Sequence, residues 1–386
     1  MRALVFDQSK GAWNETKGLW LDDVEKPKLG QYDEESVIIK MMYAGFCGSD
    51  RGIWARSSFG NLITHTLKKE GKAKRIIGHE LLGEVVEAGS QVEEKFKIKT
   101  GDIVAAESHI TCGKCYQCER KEFHVCADDI IIGISQDGCF AEYVKVPAKI
   151  LWPTDLDKIQ PEIAAIQEPF GNAVHAATKV EVKDQTVAIF GFGAIGMMTA
   201  IVARGLGAKR IIAIDTSERQ IELARGMGFK DAVIFSPKLE RGNLHDIELV
   251  QKIKDLTGGV GVDVAIEMSG FNSSVNNAVK STRRGGKVVL FGLKGGDFEI
   301  ESFEEIIRNG LSLHSVIGRE LWRTWEITKK LLEDRTNGVQ EKLKKYVLKD
   351  LEGSVVDFYS FNREEFEEKL AKFPKIVFSF EEKYKN

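Results

Sequence analysis

The 386-residue chain lacks the features that mark membrane proteins, nucleic-acid-binding proteins and small disulfide-rich proteins. No apolar run approaches the roughly 20 residues that a membrane-spanning helix needs. Residues 1–10 show no basic stretch followed by an apolar one, so we expect no signal peptide. A formal net charge of −3 gives no positive footprint for a nucleic acid, and six cysteines in so long a chain argue against a disulfide framework. We therefore expect a cytoplasmic protein that binds neither membranes nor nucleic acids.

The hydrophobic pattern changes along the chain, and this change predicts two domains. A length of 386 residues corresponds to two domains at roughly 150–200 residues each. Residues 1–155 contain short apolar runs between glycine-containing turns, which is typical of β-structure. From residue 186, strands alternate with helical patterns, which predicts βαβ units in a parallel, doubly wound sheet. The charged segment 68–75 is predicted to be solvated surface. The predicted strands are 37–41, 82–87, 103–106, 141–146, 186–190, 210–214, 232–235, 262–268, 287–291 and 376–380, and the predicted helices are 195–206, 218–227, 246–257, 273–282, 321–334 and 363–372.

Four of the six cysteines lie within fifteen residues: Cys112, Cys115, Cys118 and Cys126. Four thiolates at this spacing are the ligands of a closed, tetrahedral zinc site, and neighbouring lysine and arginine side chains favour the deprotonated sulfur. Two disulfides or four core thiols are the alternative, but nothing marks the chain as secreted. Because such a zinc site has no open position, we predict that it is structural and that the chemistry lies elsewhere.

A glycine-rich turn follows the first strand of the predicted parallel sheet. Gly191, Gly193 and Gly196 form a G-x-G-x-x-G pattern between an apolar strand and an apolar helix, which is typical of a dinucleotide-binding site. Gly191 would permit the turn, Gly193 the approach of a pyrophosphate, and Gly196 the close packing of helix on strand. Asp215, at the end of the next strand, would bind the ribose and repel a 2′-phosphate, so we predict NAD. Arg219 keeps NADP as the alternative.

A second candidate metal site is spread along the chain. Cys47 and His79 offer a sulfur and a nitrogen ligand, and either Glu80 or Glu168 offers a carboxylate. A catalytic zinc takes about three such mixed ligands and keeps one position open for the substrate. Each of these residues alone is more often structural. Together with a dinucleotide-binding pattern and a four-cysteine segment, they indicate a catalytic zinc.

These motifs together resemble the zinc-dependent medium-chain alcohol dehydrogenase family. The stretch Gly78–Val92 is similar to the zinc signature of that family, and the four-cysteine segment, the stretch Asp137–Tyr143 and the glycine-rich turn fit it as well. The segments Gln167–His175 and Gly318–Trp325 resemble the L-threonine 3-dehydrogenase subgroup, and polyol dehydrogenases share the general plan. The resemblance covers essentially the whole chain.

The resemblance implies both an architecture and an activity. The implied α/β fold has a GroES-like, β-rich catalytic domain at 1–168, completed by 318–386, and a Rossmann cofactor domain with a doubly wound parallel sheet at 169–317. The implied activity is the zinc-dependent, NAD-linked oxidation of a small secondary alcohol to a ketone by hydride transfer, in a homotetramer with two zinc ions per chain. The implied site residues are Cys47, His79, Glu80 and Glu168 around the catalytic zinc; Cys112, Cys115, Cys118 and Cys126 around the structural zinc; Ser49, His109 and Glu168 near the reacting substrate; and Gly191, Gly193, Ile195, Gly196, Asp215, Arg219, Phe291, Gly292, Leu293, Val316 and Ile317 around the cofactor.

Two features depart from the threonine dehydrogenase pattern. That subgroup carries a relay histidine three residues after the hydroxyl residue, where this chain has Gly52, and the segment from Cys47 to His79 is several residues longer here. His65 in that segment could replace the histidine, although a surface position is the simpler expectation. The substrate therefore stays open between L-threonine and a diol, polyol or sugar. A non-catalytic protein that binds zinc and a dinucleotide is a remote alternative, because every ligand position is filled.

Overall fold

The computed structural model describes residues 1–235, 244–293 and 296–381. Within these ranges the chain forms two compact units. The first contains Met1–Pro169, Leu332–Arg335 and the chain from Leu348 onward, and the second contains Phe170–Leu331 and Thr336–Val347. The domain boundaries proposed from the sequence stay a prediction; residues 318–331, which they assign to the first domain, group with the second unit. No helix in the described ranges is long and apolar enough to cross a membrane.

Short strands and helices alternate along the described chain. The strands are β1 (Arg2–Asp7), β2 (Trp20–Asp23), β3 (Ser36–Phe46), β4 (Lys74–Ile76), β5 (Glu80–Ala88), β6 (Ile103–Ala106), β7 (His109–Ile110), β8 (Ile130–Ile131), β9 (Tyr143–Pro147), β10 (Leu151–Pro153), β11 (Thr186–Phe190), β12 (Arg210–Asp215), β13 (Val233–Ile234), β14 (Val262–Glu267), β15 (Thr282–Leu290), β16 (Ser312–Ser315), β17 (Val355–Asp357) and β18 (Ile376–Ser379). The α-helices are α1 (Gly48–Trp54), α2 (Gly60–Glu70), α3 (Val92–Phe96), α4 (Tyr116–Glu119), α5 (Pro161–Ala164), α6 (Gln167–Thr178), α7 (Ala194–Gly205), α8 (Glu218–Gly226), α9 (Ile247–Leu256), α10 (Asn272–Ser281), α11 (Phe303–Arg308), α12 (Arg323–Glu333), α13 (Val339–Lys342) and α14 (Arg363–Lys372).

The first unit is built on a seven-stranded sheet centred on β3. Its strand order is β10-β6-β5-β3-β18-β17, and β9 also pairs with β3. Strand β3 pairs antiparallel with β5, which places Gly45 opposite Glu80. It also pairs antiparallel with β18, which places Phe46 opposite Ile376. Strand β3 is long, apolar and buried along most of its length, as expected for a central strand with both faces covered. The end of β3 and the start of β5 are therefore held side by side.

The second unit contains a six-stranded parallel sheet with the order β13-β12-β11-β14-β15-β16. Helices α7 to α11 connect its strands. The chain moves from β11 to one side of the sheet and then returns to pair β14 with the other side of β11, which is the doubly wound arrangement. The predicted α/β fold is therefore confirmed. In this unit the predicted elements lie within one residue of the observed ones, with two exceptions: β15 begins at Thr282 directly after α10 ends at Ser281, and α12 begins at Arg323, two residues later than predicted.

The segment that lengthens the chain before β5 forms helix α2 on the first unit. Ile63 and Leu67 lie one helical turn apart and are fully buried in the core of this unit. His65, between them, points to the other face and is exposed. The simpler expectation of a surface histidine is therefore confirmed.

The charged stretch 68–75 is not solvated throughout, so that prediction is wrong at its end. Arg75, in β4, is fully buried. Its guanidinium donates to a Glu70 carboxylate oxygen at 2.6 Å and to an Asp137 carboxylate oxygen at 3.1 Å. A buried charge is tolerated where such partners satisfy it. The sequence does not show this burial because Asp137 lies more than sixty residues further along the chain.

Candidate active site and cofactor site

Three side chains of metal-ligand type converge in the first unit. Cys47 follows β3 and precedes α1, while His79 immediately precedes the neighbouring strand β5 and Glu80 is its first residue. One ligand atom from each of the three lies within 4.8 Å of the others. His79 and Glu80 are buried, and Cys47 is half-buried. A sulfur, a nitrogen and an oxygen at this spacing match the mixed ligand set that a catalytic zinc takes.

A buried aspartate supports this cluster from α1. Asp50 Oδ2 accepts a hydrogen bond from the Cys47 backbone N–H at 2.8 Å, and its Oδ1 lies 3.5 Å from His79 Nδ1. Burial disfavours a charged imidazole, but the negative charges of Asp50, Cys47 and Glu168 outweigh burial and raise the pKa of His79 to about 10. Burial likewise raises the pKa of Asp50, against the opposing charge of His79.

Glu80 is paired with a lysine from the far end of the chain. Lys375, which precedes β18, donates from Nζ to Glu80 Oε1 at 2.5 Å and to the Phe46 carbonyl at 3.0 Å. Both charged side chains are buried. Burial nevertheless raises the pKa of Glu80 above its ordinary value, although the charge of Lys375 opposes the shift. The positive charges of Lys375 and His79 both oppose this shift, and the negative charge of Glu168 adds to it.

The charge balance of the cluster fits a bound zinc ion. Asp50, Glu80 and Glu168 are all buried. Besides burial, the charge of Glu168 raises the pKa of both Asp50 and Glu80. Buried acids that repel one another must be protonated, paired or bound to a cation. A divalent cation between Cys47, His79 and Glu80 would supply the missing charge.

Two other predicted residues lie in the same unit. Ser49, at the start of α1, places its hydroxyl oxygen 3.2 Å from His79 Nε2 and so borders the cluster. Glu168, at the start of α6, accepts a hydrogen bond from the Ser108 hydroxyl at 2.7 Å. Glu168 is not among the ligand atoms that lie within 4.8 Å of one another, whereas Glu80 is. Of the two candidate carboxylates, the geometry brings Glu80 to the sulfur and nitrogen ligands.

Sequence reasoning missed the residues that hold the predicted ones in place. These are Asp50 beside His79, Lys375 beside Glu80, and Ser108 beside Glu168. A further example is Asp129, whose carboxylate pairs with Nδ1 of the predicted residue His109 in β7. Only Asp50 left a usable signal, because it lies three residues after Cys47 at the start of a helix, where an acid can bond the free backbone N–H groups. The other partners are distant in sequence.

The four clustered cysteines also converge. All six cysteines lie in the described ranges, and none of them forms a disulfide. The sulfurs of Cys112, Cys115, Cys118 and Cys126 lie within 4.8 Å of one another. The backbone N–H groups of Cys115 and Cys112 donate to the sulfurs of Cys112 and Cys126, each at 3.3 Å. Backbone hydrogen bonds from Ala127 and Cys118 lower the pKa of Cys115 to about 6. Donors aimed at sulfur favour the thiolate, which is the metal-binding form. Cys139, which belongs to neither set of ligand residues, is fully buried.

The glycine-rich turn of the second unit has the geometry that its sequence predicts. Gly191 follows β11 with a φ of +93°, which favours glycine. A Cβ on Gly196 would lie 2.1 Å from the Gly191 carbonyl oxygen, so α7 packs closely on the turn. A Cβ on Gly193, the residue that precedes α7, would meet no described atom within 4 Å. The N-terminus of α7 therefore faces open space, where its free N–H groups can bind a phosphate.

The other predicted cofactor residues follow the carboxyl ends of the parallel strands. Asp215 ends β12 and accepts hydrogen bonds from the backbone N–H groups of Phe192 at 2.7 Å and Ser217 at 2.8 Å. Because the strands are parallel, their carboxyl ends lie along one edge of the sheet, which is where dinucleotides bind in this fold. The remaining residues at these strand ends and first helical turns are Ile195 in α7, Arg219 in α8, Phe291, Gly292 and Leu293 after β15, and Val316 and Ile317 after β16.

Known protein families match both parts of the chain. Residues 33–156 match the alcohol dehydrogenase GroES-like domain, and residues 194–334 match the zinc-binding dehydrogenase family. The L-threonine 3-dehydrogenase of Streptomyces avermitilis is 34% identical over 361 residues, which cover 92% of this chain and 96% of the relative. That of Symbiobacterium thermophilum is 36% identical over 332 residues, which cover 86% and 87%. A short chain alcohol dehydrogenase from Escherichia coli, solved with NADH, shares the fold with a TM-score of 0.76 at 22% identity, over 98% of this chain and 99% of that one.

The fold and these matches define an oxidoreductase that acts on alcohols. The chain belongs to the zinc-dependent medium-chain alcohol dehydrogenase family, as the resemblance predicted. Within that family it is similar over most of its length to proteins named L-threonine 3-dehydrogenase.

The buried ion pair yields a prediction about stability. Replacing Lys375→Met should lower the free energy of unfolding by about 3–5 kcal/mol, because it leaves the Glu80 carboxylate buried without its cation. Urea unfolding at neutral pH measures the change, with Lys372→Met, an exposed neighbour, as the control. The double variant Glu80→Gln with Lys375→Met should recover part of the loss. A Lys375→Met protein as stable as the Lys372→Met control would contradict this account of the cluster.

Proposed function

We propose that this protein oxidises a secondary alcohol to a ketone, with NAD as the hydride acceptor and a catalytic zinc held by Cys47, His79 and Glu80. The observation that carries the proposal is the convergence of these three ligand types in a chain of the alcohol dehydrogenase family. The four-cysteine set is proposed to hold a second, structural zinc. The names of the relatives make L-threonine the first substrate to test.

The proposed mechanism assigns separate tasks to the residues around the cluster. When bound, zinc supplies a Lewis acid that makes an alcohol proton more acidic, and NAD supplies the hydride acceptor. The Ser49 hydroxyl, 3.2 Å from His79 Nε2, is placed to accept that proton and to pass it on. Asp50 orients the imidazole of His79, as carboxylates commonly do for metal-binding histidines. Lys375 holds Glu80 at the edge of the cluster and balances its charge.

Two further residues are proposed to act near the substrate. Glu168 is held by the Ser108 hydroxyl and contributes negative charge to the cluster, so it is proposed as a neighbouring carboxylate or an alternating metal ligand. His109 is proposed as a substrate neighbour whose imidazole is oriented by Asp129. A hydrogen bond of this kind fixes which ring nitrogen faces outward.

The cofactor is proposed to bind at the carboxyl edge of the six-stranded sheet. The open space before α7 would take the pyrophosphate, and the carboxylate of Asp215 would take the adenosine ribose and repel a 2′-phosphate. Proposed contacts along this edge are Gly191, Gly193, Ile195, Gly196, Arg219, Phe291, Gly292, Leu293, Val316 and Ile317. The NADH in the Escherichia coli structure supports a nicotinamide cofactor for the fold. We further propose that the enzyme works as a homotetramer in the cytoplasm.

A diol or polyol is a second candidate substrate, and one position favours it. Gly52 has no side chain, whereas the resemblance to threonine dehydrogenases implies a histidine there. Gly52 lies in the longer segment between Cys47 and His79, which also contains α2. A pocket with these two differences would keep the fold of the relatives but prefer a different alcohol as its substrate.

The first experiment measures NAD reduction by the zinc-replete protein with L-threonine, L-serine, 2,3-butanediol, sorbitol, xylitol and glucose. We expect NADH to form with at least one of them, and metal-stripped protein is the control. A preference for L-threonine would place the enzyme with its relatives, and a preference for a diol, polyol or sugar would favour the second candidate. Absence of NADH with every alcohol would contradict the proposed function.

The two proposed metal sites should respond differently to mutation. Cys47→Ser should remove one of two zinc ions per chain and abolish turnover while the protein still binds NAD. Cys115→Ser should also remove one zinc but mainly impair folding, because a closed site contributes directly to stability. Elemental analysis of zinc per chain, together with thermal unfolding, separates the two outcomes. Cys139→Ala, a buried cysteine outside both sets, is the control and should retain both ions. Normal turnover by Cys47→Ser would refute the assignment of the catalytic ligands.

The carboxylate of Asp215 should set the choice of cofactor. Asp215→Asn removes the charge but keeps the shape, so the ratio of kcat/KM with NADP to that with NAD should rise by about tenfold, because a 2′-phosphate is no longer repelled at short range. Steady-state rates with both cofactors measure the ratio. Glu218→Gln removes a nearby acid at the start of α8 and should leave the ratio unchanged. An unchanged ratio for Asp215→Asn would remove the basis for preferring NAD.

A further inference from the structure

A buried acid ends β14, one of the two central strands of the parallel sheet. Glu267 is buried, and the proposed mechanism gives it no task. Its carboxylate accepts hydrogen bonds from the backbone N–H groups of Ser269 at 2.8 Å and Gly270 at 2.9 Å. It also accepts from the hydroxyl groups of Ser269 at 2.5 Å and Ser274 at 2.7 Å. These donors are neutral, and they satisfy the buried carboxylate by holding the backbone that follows it in one conformation.

The loop that Glu267 holds, residues 268–271, packs against the glycine-rich turn. A Cβ on Gly191 would lie 3.1 Å from Ser269 Cβ and 3.2 Å from Ser269 N. The backbone N–H of Met268 donates to the carbonyl of Phe190, directly before the turn, at 2.8 Å. The loop and the turn are therefore in direct contact, so a shift of the loop would displace a wall of the proposed cofactor site.

The same loop packs against the chain that follows β15. A Cβ on Gly292 would lie 2.0 Å from Gly270 N and 2.6 Å from the carbonyl carbon of Ser269. The φ of Gly270 is +76°, a conformation that favours glycine. The backbone N–H groups of Phe291 and Gly292 donate to the Glu267 carbonyl at 2.9 Å and 3.1 Å. The position of the loop is therefore fixed from both sides by backbone that leaves no room for a side chain.

The loop lies where the strand order of the sheet reverses. The chain pairs β11 with β12 on one side and then with β14 on the other. Dinucleotides cross the carboxyl edge of such a sheet at this point. Asp215, at the end of β12, is proposed to bind the adenosine ribose, so the nicotinamide half of NAD would extend over the ends of β14 and β15. Residues 268–271 therefore lie on the side of the nicotinamide half.

We propose that Glu267 is a positioning residue for the cofactor, which holds residues 268–271 in the place where they contact the nicotinamide half of NAD. This inference rests on the proposed function, since it requires NAD at the carboxyl edge of the sheet. Glu267 acts through Ser269 and Gly270, because its own oxygens are buried and face the donors of the loop. Its hydrogen bond to Ser274 joins the same acid to the first turn of α10.

The test measures the binding of NADH and of AMP, which carries only the adenosine half of the cofactor. Glu267→Gln keeps the size of the side chain but turns an amide N–H group toward backbone N–H donors, so the loop should shift. The Kd for NADH should rise by about tenfold, the size expected for one lost hydrogen bond, whereas the Kd for AMP should change by less than about twofold. Fluorescence titration with NADH measures the first value, and displacement of NADH by AMP measures the second.

Asp263→Asn is the matched control in the same strand. Asp263 lies near the amino end of β14, where it accepts from the Thr186 backbone N–H at 2.8 Å and from Arg283 Nε at 2.6 Å. This variant should lower the midpoint of thermal unfolding but leave both Kd values unchanged.

Ser274→Ala is a milder second variant, which decides the question if Glu267→Gln does not fold. It removes one donor to the carboxylate and leaves the donors of the loop in place. The Kd for NADH should rise by about threefold, with the Kd for AMP unchanged.

Equal weakening of NADH and AMP binding, or no weakening of either, would overturn the inference and leave Glu267 as a support of the fold alone. In both cases NADH binding and alcohol oxidation by the wild-type protein would leave the proposed function standing. A wild-type protein that does not bind NADH would remove both.

Discussion

The first unit depends on burying several acids next to one lysine. Glu80 lies in the middle of an antiparallel sheet, where water cannot solvate its charge, and Lys375 reaches it from the segment before β18. The pairing of β3 with both β5 and β18 is what brings the two together. Such a pair is costly to form, and it is stable only when its geometry is fixed by its surroundings. The pairing of these strands therefore determines where the charged residues of the cluster lie.

The two sets of metal-ligand residues differ in the groups that surround them. Around the four cysteines, backbone N–H groups donate to sulfur and lower the pKa of Cys115, whereas burial raises the pKa of Cys118 and of Cys126. Around Cys47, by contrast, the stabilising groups are side chains such as Asp50 and Lys375 that come from separate elements. The first arrangement suits a site that only holds a loop together. The second leaves a surplus of negative charge, which suits a metal that must also exchange a ligand.

Local patterns predicted the parts of the structure that depend on neighbours in sequence. The glycine turn, the alternating strands and helices of the second unit, and the cysteine cluster are all read from short windows. Short sequence windows do not predict contacts between residues that are distant in the chain, such as Lys375 with Glu80 and Asp137 with Arg75. Arg75 was misjudged because a basic residue in a charged stretch is usually solvated, and only its distant partners explain its burial. Sequence patterns also missed that Ser58 fills the space beside Gly52, because this contact depends on the left-handed backbone of Arg56 and Phe59, which propensity does not predict.

The position of β18 has a consequence for how the protein is made. This strand lies between β3 and β17, and its first residue pairs with Phe46, next to Cys47. During translation, the pairing of β3 with β18 therefore cannot form until residues more than three hundred positions later have been synthesised. Until the ribosome releases that last strand, Glu80 has no lysine and the central sheet has an open edge. The second unit, which is nearly continuous in sequence, can fold in the meantime. The pair of Glu80 and Lys375, and with it the metal site proposed beside Cys47, would thus be completed late in the maturation of the protein.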